Sequence, residues 1–271
     1  MSQRCLSAQL VACLLKRLPL RIGQSFYYRF FRNSSSSRPT LFRSAPLRFA
    51  PGVVMDLLPG DECHGVIAHT GLYELQLTRR LLREAKRAGL LVDVGANFGY
   101  YSLLWAGQRL DCSAMAFEPS PSVFSALCKN ISKNHFSERI QAFPFAVEQN
   151  ASSVRFLPAP PGQTGWGHVV VAQEGSVSVP STTLDQELKG IEEVNVLKID
   201  AEGEDFHVLL GAEECLRRRV FRNIFWEASA DQLGAADARR FYKLAGECGY
   251  FLSQLNPRAH GVTIFEAHRL S

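Results

Sequence analysis

The chain has 271 residues, of which 46% are hydrophobic and 21% charged, so its composition is that of a globular protein with a sizeable apolar core. Its net charge of +4 is unevenly spread, because the first 55 residues hold nine Lys or Arg and no acid. The remainder holds the other 21 of the 30 basic residues against all 26 acidic ones, which excludes the basic surface typical of nucleic-acid-binding domains.

Residues 1–50 are basic and serine-rich and predict an N-terminal extension, followed by one domain at 51–271. The apolar run at residues 10–15 ends at Lys16, so it is too short to span a membrane. The basic aromatic stretch 26–32 suits a peripheral contact with an anionic membrane surface or with a partner. A disordered extension and an organellar transit peptide are the alternatives.

Apolar periodicity predicts alternating helices and strands from residue 74 onward. In chain order these are helix 74–88, strand 90–94, a helix from about 101, strand 114–117, helix 122–134, strand 140–147, a β-rich stretch at 153–157 and 168–179, strand 194–200, helix 205–218, strand 223–227, helix 232–246, and strands 250–254 and 262–267. This alternation predicts an α/β fold with a mainly parallel sheet, and the two last strands predict a terminal hairpin.

The segment LLVDVGANFGYYSLLW at residues 90–105 is a strand, a glycine-containing turn and a helix. Glycines at this point let the backbone approach a ligand, and the helix N-terminus offers free N–H groups. A dinucleotide fingerprint needs glycine at its first, third and sixth places, which here hold Gly95, Asn97 and Tyr100, so NAD is disfavoured. Asp93 before the turn favours a nucleotide-like ligand that carries an ammonium group, such as S-adenosyl-L-methionine.

The next predicted strand ends at Glu118 and Pro119. A carboxylate at this strand tip can accept hydrogen bonds from two ribose hydroxyls, although a solvated strand end is the alternative. For the glycines at 95 and 99, the alternative is a tight turn that binds no ligand.

Five motifs, in this order, resemble those of the FkbM-type methyltransferases. They are GLYE at 71–74, LVDVGANFGYYSLLWA at 91–106, FEPSP at 117–121, TTLD at 182–185 and LKIDAEGED at 197–205. The resemblance implies a Rossmann-like class I methyltransferase with a seven-stranded sheet and helices on both faces, which uses S-adenosyl-L-methionine and methylates a hydroxyl of a sugar, glycolipid or secondary metabolite. The predicted cofactor-binding residues are Glu74, Asp93, Gly95, Asn97, Gly99, Tyr100, Glu118, Pro119, Ala146 and Asp200.

Methyl transfer from a sulfonium needs an acceptor oxygen held in line with the methyl carbon, and deprotonation of that oxygen helps. Asp200 and Glu202 follow the fourth core strand and are the predicted acid/base residues or ligands of the acceptor hydroxyl. His168 is a third candidate, because it follows the loop PAPPGQTGWG at 158–167, whose composition suits a flap over an acceptor. A plain surface loop is an equal alternative.

The seven cysteines form no CxxC pair and no zinc-type spacing, so the sequence predicts reduced thiols, a cytoplasmic location and no metal. Paired acids after the fourth strand are a weak signal for Mg²⁺. The expected partner is a small-molecule or glycan acceptor rather than a nucleic acid. Two other functions stay open, a catalytically idle cofactor-binding module or partner subunit and, less favoured, an NAD-dependent oxidoreductase.

Overall fold

The computed structural model describes residue 29 and residues 39–255 and 262–270. In these residues the helices are α1 (Pro39–Phe42), α2 (Glu62–Thr70), α3 (Leu75–Glu84), α4 (Tyr100–Ala106), α5 (Pro121–Lys133), α6 (Leu184–Glu187), α7 (Asp205–Leu210), α8 (Glu213–Arg217), α9 (Ala230–Leu233) and α10 (Ala236–Glu247). The strands are β1 (Ala45–Pro46), β2 (Val54–Met55), β3 (Gly89–Val94), β4 (Cys112–Phe117), β5 (Ile140–Phe143), β6 (Ala146–Val147), β7 (Ser153–Leu157), β8 (His168–Val170), β9 (Val177–Thr182), β10 (Val194–Ile199), β11 (Phe221–Ser229), β12 (Tyr250–Gln254) and β13 (Val262–Arg269).

A seven-stranded sheet in the order β12-β13-β11-β10-β3-β4-β5 forms the centre of the molecule. Strands β11, β10, β3, β4 and β5 run parallel, whereas β13 pairs antiparallel with both β11 and β12. The predicted α/β class and terminal hairpin are therefore confirmed. The strand order reverses beside β3, and ligands of open α/β sheets bind at such a switch point, outside the carboxyl ends of the strands.

The apolar core lies on both faces of this sheet. One buried cluster contains Trp105 of α4 and Leu127 of α5, and the other contains Phe206 of α7 and Phe241 of α10. Since burial of apolar side chains is the main stabilising contribution in folding, the two layers hold the sheet rigid beneath the loops at its carboxyl edge.

The segment before the predicted domain start packs into the first of these clusters. Phe42, Leu47 and Ala50 are buried, and β1 pairs with β2 across residue 50. Asn130 of α5 adds a hydrogen bond from its Nδ2 to the Asp56 carbonyl oxygen. The predicted boundary at residue 50 thus falls inside a packed region, while all of the stretch 26–32 except residue 29 lies outside the described residues.

Three elements that were each predicted as one continuous segment are divided in two in the structure. The predicted strand 140–147 is two strands in different sheets, β5 and β6, because Pro144 between them has no N–H to continue the ladder. The predicted helix 205–218 is divided into α7 and α8 at Gly211, where a Cβ would lie 2.2 Å from the Glu148 carbonyl oxygen. The predicted helix 232–246 is likewise divided into α9 and α10, at Gly234.

The β-rich stretch forms, together with β6, a separate four-stranded sheet in the order β6-β9-β7-β8. Among the described helices, none combines the length and the apolar character needed to cross a membrane. The five described cysteines are free thiols, and Cys112, Cys215 and Cys248 are buried.

Candidate functional site

Two adjoining cavities open at the carboxyl edge of the central sheet. The first, called here the Glu118 cavity, has an empty volume of about 630 Å³, and the second, the Glu227 cavity, one of about 750 Å³, with the solvent-filled mouth of each cavity included. Both are lined by Gly95, Asn97, Gly165, Asp200 and Glu202, so these residues form the junction between them. A ligand bound in one cavity would therefore contact a ligand bound in the other at this junction.

The loop between β3 and α4 depends on glycine at two positions. Gly95 has φ +70°, and a Cβ on it would lie 1.9 Å from the Asp200 carbonyl oxygen. Gly99 has φ +94°, and a Cβ there would lie 2.7 Å from Leu127 Cδ1. The first glycine therefore permits the close approach of the β3 loop to the end of β10, and the second permits the packing of this loop on α5.

Glu118 is buried at the tip of β4 and holds the loop in place. Its Oε2 accepts the Asn97 N–H at 3.0 Å, and its Oε1 accepts the Ser120 N–H at 2.9 Å. Burial raises the pKa of Glu118 to about 7. Because each carboxylate oxygen accepts more than one hydrogen bond, Glu118 retains acceptor capacity toward the cavity that it lines.

Asp93 lies beneath the loop rather than in a cavity. It is fully buried, its Oδ2 accepts the Ser102 hydroxyl at 2.7 Å, and its Oδ1 lies 3.4 Å from Lys198 Nζ. It lines neither cavity. A direct cofactor contact of Asp93 stays a prediction, and the role visible in the structure is to anchor Lys198.

Lys198 connects the strand ends below the junction. Its Nζ donates to the carbonyl oxygen of Gly95 at 3.0 Å and lies 3.6 Å from Asp200 Oδ2. Burial alone would lower the pKa of this ammonium group, but the nearby carboxylates of Asp200 and Asp93 raise it above its usual value. Lys198 is therefore a permanent buried cation that fixes both the glycine loop and Asp200.

A pair of carboxyl groups lines the Glu227 cavity on the side of β11. Glu74, with φ +36°, accepts a hydrogen bond from the Tyr101 hydroxyl and hydrogen-bonds with Glu227. Burial and then the charge of Asp200 raise the pKa of both groups, that of Glu227 to about 10. The pair consequently retains a proton at neutral pH.

Glu227 is a site residue that the sequence analysis missed. It lies near the end of the apolar strand β11, immediately after the buried Trp226. An acid that follows an apolar run is the same signal that identified Glu118, so it was present in the sequence. The prediction of a strand at 223–227 did not use it.

Asp200 and Glu202 both lie at the junction, as their predicted shared role requires. The Asp200 side chain is 29% exposed. Burial, followed by the charges of Asp200 and Asp205, raises the pKa of Glu202 to about 8. The two acids therefore differ in environment, because only Asp200 forms an ion pair with Lys198.

The 158–167 loop covers the junction and is tied to the rest of the site. The Thr164 N–H and hydroxyl donate to Asp61 Oδ2 at 2.7 and 2.9 Å, and Asn97 Nδ2 donates to the Thr164 hydroxyl at 3.4 Å. His64 supports this arrangement, because its Nδ1 accepts the Leu58 N–H and its Nε2 therefore carries the proton donated to Asn97 Oδ1. Asn97, which belongs to the glycine loop after β3, therefore links that loop to the 158–167 loop by a hydrogen bond.

The other predicted residues divide between the two cavities. Pro119, Ala146 and His168 line the Glu118 cavity, whereas Glu74 and Tyr100 line the Glu227 cavity. Gly99 lines neither. His168 Nδ1 donates to the Trp166 carbonyl oxygen at 3.0 Å, which orients the ring. Since His168 lies on the Glu118 side, its catalytic assignment stays a prediction.

A mainly parallel seven-stranded sheet with a terminal hairpin, together with a glycine loop after β3 and a buried acid after β4, defines the class I methyltransferases. The chain belongs to the family of the methyltransferase FkbM domain, whose profile matches residues 93–252. The resemblance predicted from the motifs is therefore confirmed.

Two relatives illustrate the similarity. Over 160 residues the chain is 27% identical to the hexuronic acid methyltransferase AglP of Haloferax volcanii, covering 58% of this chain and 64% of that protein. Over 174 residues it is 25% identical to the methyltransferase sdnD of Sordaria araneosa, covering 51% and 67%. The chain thus spans slightly less than two thirds of the length of AglP.

Solved structures with a similar course of the chain include two methyltransferases. The precorrin-6y C5,15-methyltransferase of Geobacter metallireducens has a TM-score of 0.45 at 12% identity, covering 73% of this chain and 90% of that one. The METTL16 MTase domain has a TM-score of 0.47 at 13% identity, covering 80% and 74%.

Proposed function

We propose that this chain transfers a methyl group from S-adenosyl-L-methionine to a hydroxyl oxygen of a neutral sugar. The observation that carries the proposal is the meeting of two cavities of different chemistry at Asp200 and Glu202. Membership of the FkbM domain family supports methyl transfer, and the name of AglP supports a sugar as acceptor.

The Glu118 cavity fits the methyl donor. Glu118 has acceptor capacity for ribose hydroxyls, the absence of a side chain at Gly95 keeps the junction open, and Pro119, Phe145 and Ala146 offer an apolar wall to an adenine ring. When bound, S-adenosyl-L-methionine supplies an electrophilic methyl group. The residues of the chain bind and orient this donor and exclude water from the junction.

The Glu227 cavity suits a polyhydroxyl acceptor. Its carboxyl groups can hydrogen-bond sugar hydroxyls, and the Trp166 ring, 57% exposed, offers a flat apolar surface to a pyranose face. Asp200 is paired with Lys198, and the Glu74–Glu227 pair, which shares one proton, leaves one uncompensated negative charge among the residues that line this cavity. A neutral sugar is therefore favoured over a uronate, whose own carboxylate would be repelled.

Asp200 is the best-placed group to take the proton of the acceptor hydroxyl. It lies at the junction, and its ion pair with Lys198 orients the carboxylate. Glu202, whose pKa is about 8, retains its proton at neutral pH and is instead suited to donate a hydrogen bond to the acceptor.

Calorimetric titration with S-adenosylhomocysteine and, separately, with NAD tests the cofactor. We expect S-adenosylhomocysteine to bind with micromolar affinity and NAD not to bind. The affinity for S-adenosylhomocysteine should fall at least tenfold in Glu118→Gln and stay unchanged in the matched surface variant Glu174→Gln. Binding of NAD alone would refute the methyltransferase proposal.

Transfer of labelled methyl groups to matched neutral hexosides and hexuronosides tests the acceptor. We expect turnover of the neutral hexoside, and turnover of the hexuronoside alone would contradict the charge argument. Cofactor binding without turnover on a broad panel of hydroxyl acceptors would identify an idle binding module instead.

A further inference from the structure

Three groups that can ligate a metal converge beside the Glu118 cavity. Glu148 follows β6, Glu204 precedes α7, and His207 lies within α7; one ligand atom of each lies within 4.8 Å of the other two. His207 Nδ1 hydrogen-bonds to Glu204 and lies 3.8 Å from Glu148 Oε2. Two of the three groups, Glu148 and Glu204, also line the cavity.

Glu148 provides an independent indication of a ligand. The residue is only 8% exposed, its Oε2 lies 3.8 Å from His207 Nδ1, and its other oxygen, Oε1, is buried without a hydrogen-bond partner among the described residues. Buried carboxylate oxygens in native structures are normally satisfied by a donor or a cation. A cation bound by both oxygens of the Glu148 carboxylate, beside His207, would satisfy Oε1.

Asp237 gives His207 the orientation of a metal ligand. Its Oδ2 lies 3.4 Å from His207 Nε2, so the outer ring nitrogen faces a carboxylate and Nδ1 faces the two glutamates. Metal-bound histidines usually donate their second N–H to a carboxylate in this way, which fixes the ring and raises its basicity. The partial exposure of His207 leaves a path for an ion and for water.

We propose that Glu148, Glu204 and His207 bind one divalent ion of the Zn²⁺ or Mn²⁺ type in the wall of the Glu118 cavity, with Asp237 orienting His207. An imidazole with two carboxylates suits these ions better than Ca²⁺ or Mg²⁺, which prefer all-oxygen sets. Three protein ligands leave at least one position for water. The ion would clamp β6 to the turn that carries Glu204. This inference does not depend on the proposed methyl transfer.

The test is calorimetric titration of the untagged, chelator-treated full chain with ZnCl₂ and with MnCl₂. We expect one ion per chain, an affinity at least tenfold weaker in Glu148→Gln and in His207→Gln, and about tenfold weaker in Asp237→Asn. The matched controls Glu174→Gln and His268→Gln lie away from the cluster and should bind like the wild type. Circular dichroism of each variant checks that it is folded. If a variant of a ligand residue fails to fold, the comparison of Asp237→Asn with the wild type still tests the site.

Two outcomes would overturn the site: no binding to the wild-type chain, or equal affinity of the wild type and the Glu148 and His207 variants. Replacement by Co²⁺ identifies the ligands, because a thiolate charge-transfer band would assign the ion to cysteines instead. Titration of the same preparations with S-adenosylhomocysteine separates failure of the metal site from failure of the proposed function.

Discussion

Replacement of Lys198 by Met should destabilise the protein through its buried partner Asp93. The ammonium group lies 3.4 Å from Asp93 Oδ1 and 3.6 Å from Asp200 Oδ2, and its side chain is 3% exposed. At an effective dielectric constant of about 20, the closer pair interacts by about 5 kcal/mol. Removing one partner of a buried pair leaves the other charge uncompensated, so we expect Lys198→Met to lower the free energy of unfolding by about 3–5 kcal/mol.

A double-mutant cycle in urea separates this effect from lost packing. Asp93→Asn removes the facing charge but keeps an oxygen that can accept the Ser102 hydroxyl. If the ion pair is the cause, the loss in the double variant Lys198→Met/Asp93→Asn should be smaller than the sum of the single losses by about 1–3 kcal/mol. Losses that add to within about 0.5 kcal/mol would refute the ion-pair explanation.

Three further predictions concern the junction and its two cavities. Gly95→Ala should abolish S-adenosylhomocysteine binding and lower the melting temperature, because the new Cβ would meet the Asp200 carbonyl at 1.9 Å; normal binding would show that the loop can move aside. Glu227, whose pKa is raised to about 10, binds more protons in the folded than in the unfolded state, so wild-type stability should fall as pH rises from about 5 to 9. Glu227→Gln should reduce this fall in the free energy of unfolding, measured in urea, by up to about 1.4 kcal/mol per pH unit. Identical pH profiles of stability for the wild type and the variant would contradict this prediction. Trp166→Ala should raise the KM for a sugar acceptor several-fold without changing cofactor affinity. Weakened cofactor binding with an unchanged KM for the acceptor would show that the ring contacts the cofactor instead.

The fold was predictable to the extent that local sequence signals determine it. The apolar run, acid and glycines at 90–99 placed β3, its loop and α4, and Glu118 followed from the same reasoning one strand later. Pro144 and Gly234 are local signals of a break that the predicted strand 140–147 and helix 232–246 did not take into account. The division at Gly211, by contrast, depends on a tertiary contact with the Glu148 carbonyl. Hydrophobic periodicity carries no information on such contacts.

The candidate site was predictable in part. Strand-tip acids could be placed together, since parallel strands end at one edge of a sheet. The cluster of Glu148, Glu204 and His207 could not, because Glu148 lies far from the other two in sequence and approaches them only through the second sheet. The side-chain partners of Asp93 could not be predicted either. The sequence places this acid at a strand end but does not show which way its side chain points.

The hydrogen bonds of Thr164 have a consequence for how the two cavities depend on each other. Asn97 belongs to the loop that contacts the Glu118 cavity, yet its amide also holds Thr164, and Thr164 is held again by Asp61. Displacement of either loop therefore breaks contacts of the other. We expect occupancy of one cavity to alter the affinity of the other, so that S-adenosylhomocysteine and an acceptor should not bind independently of each other.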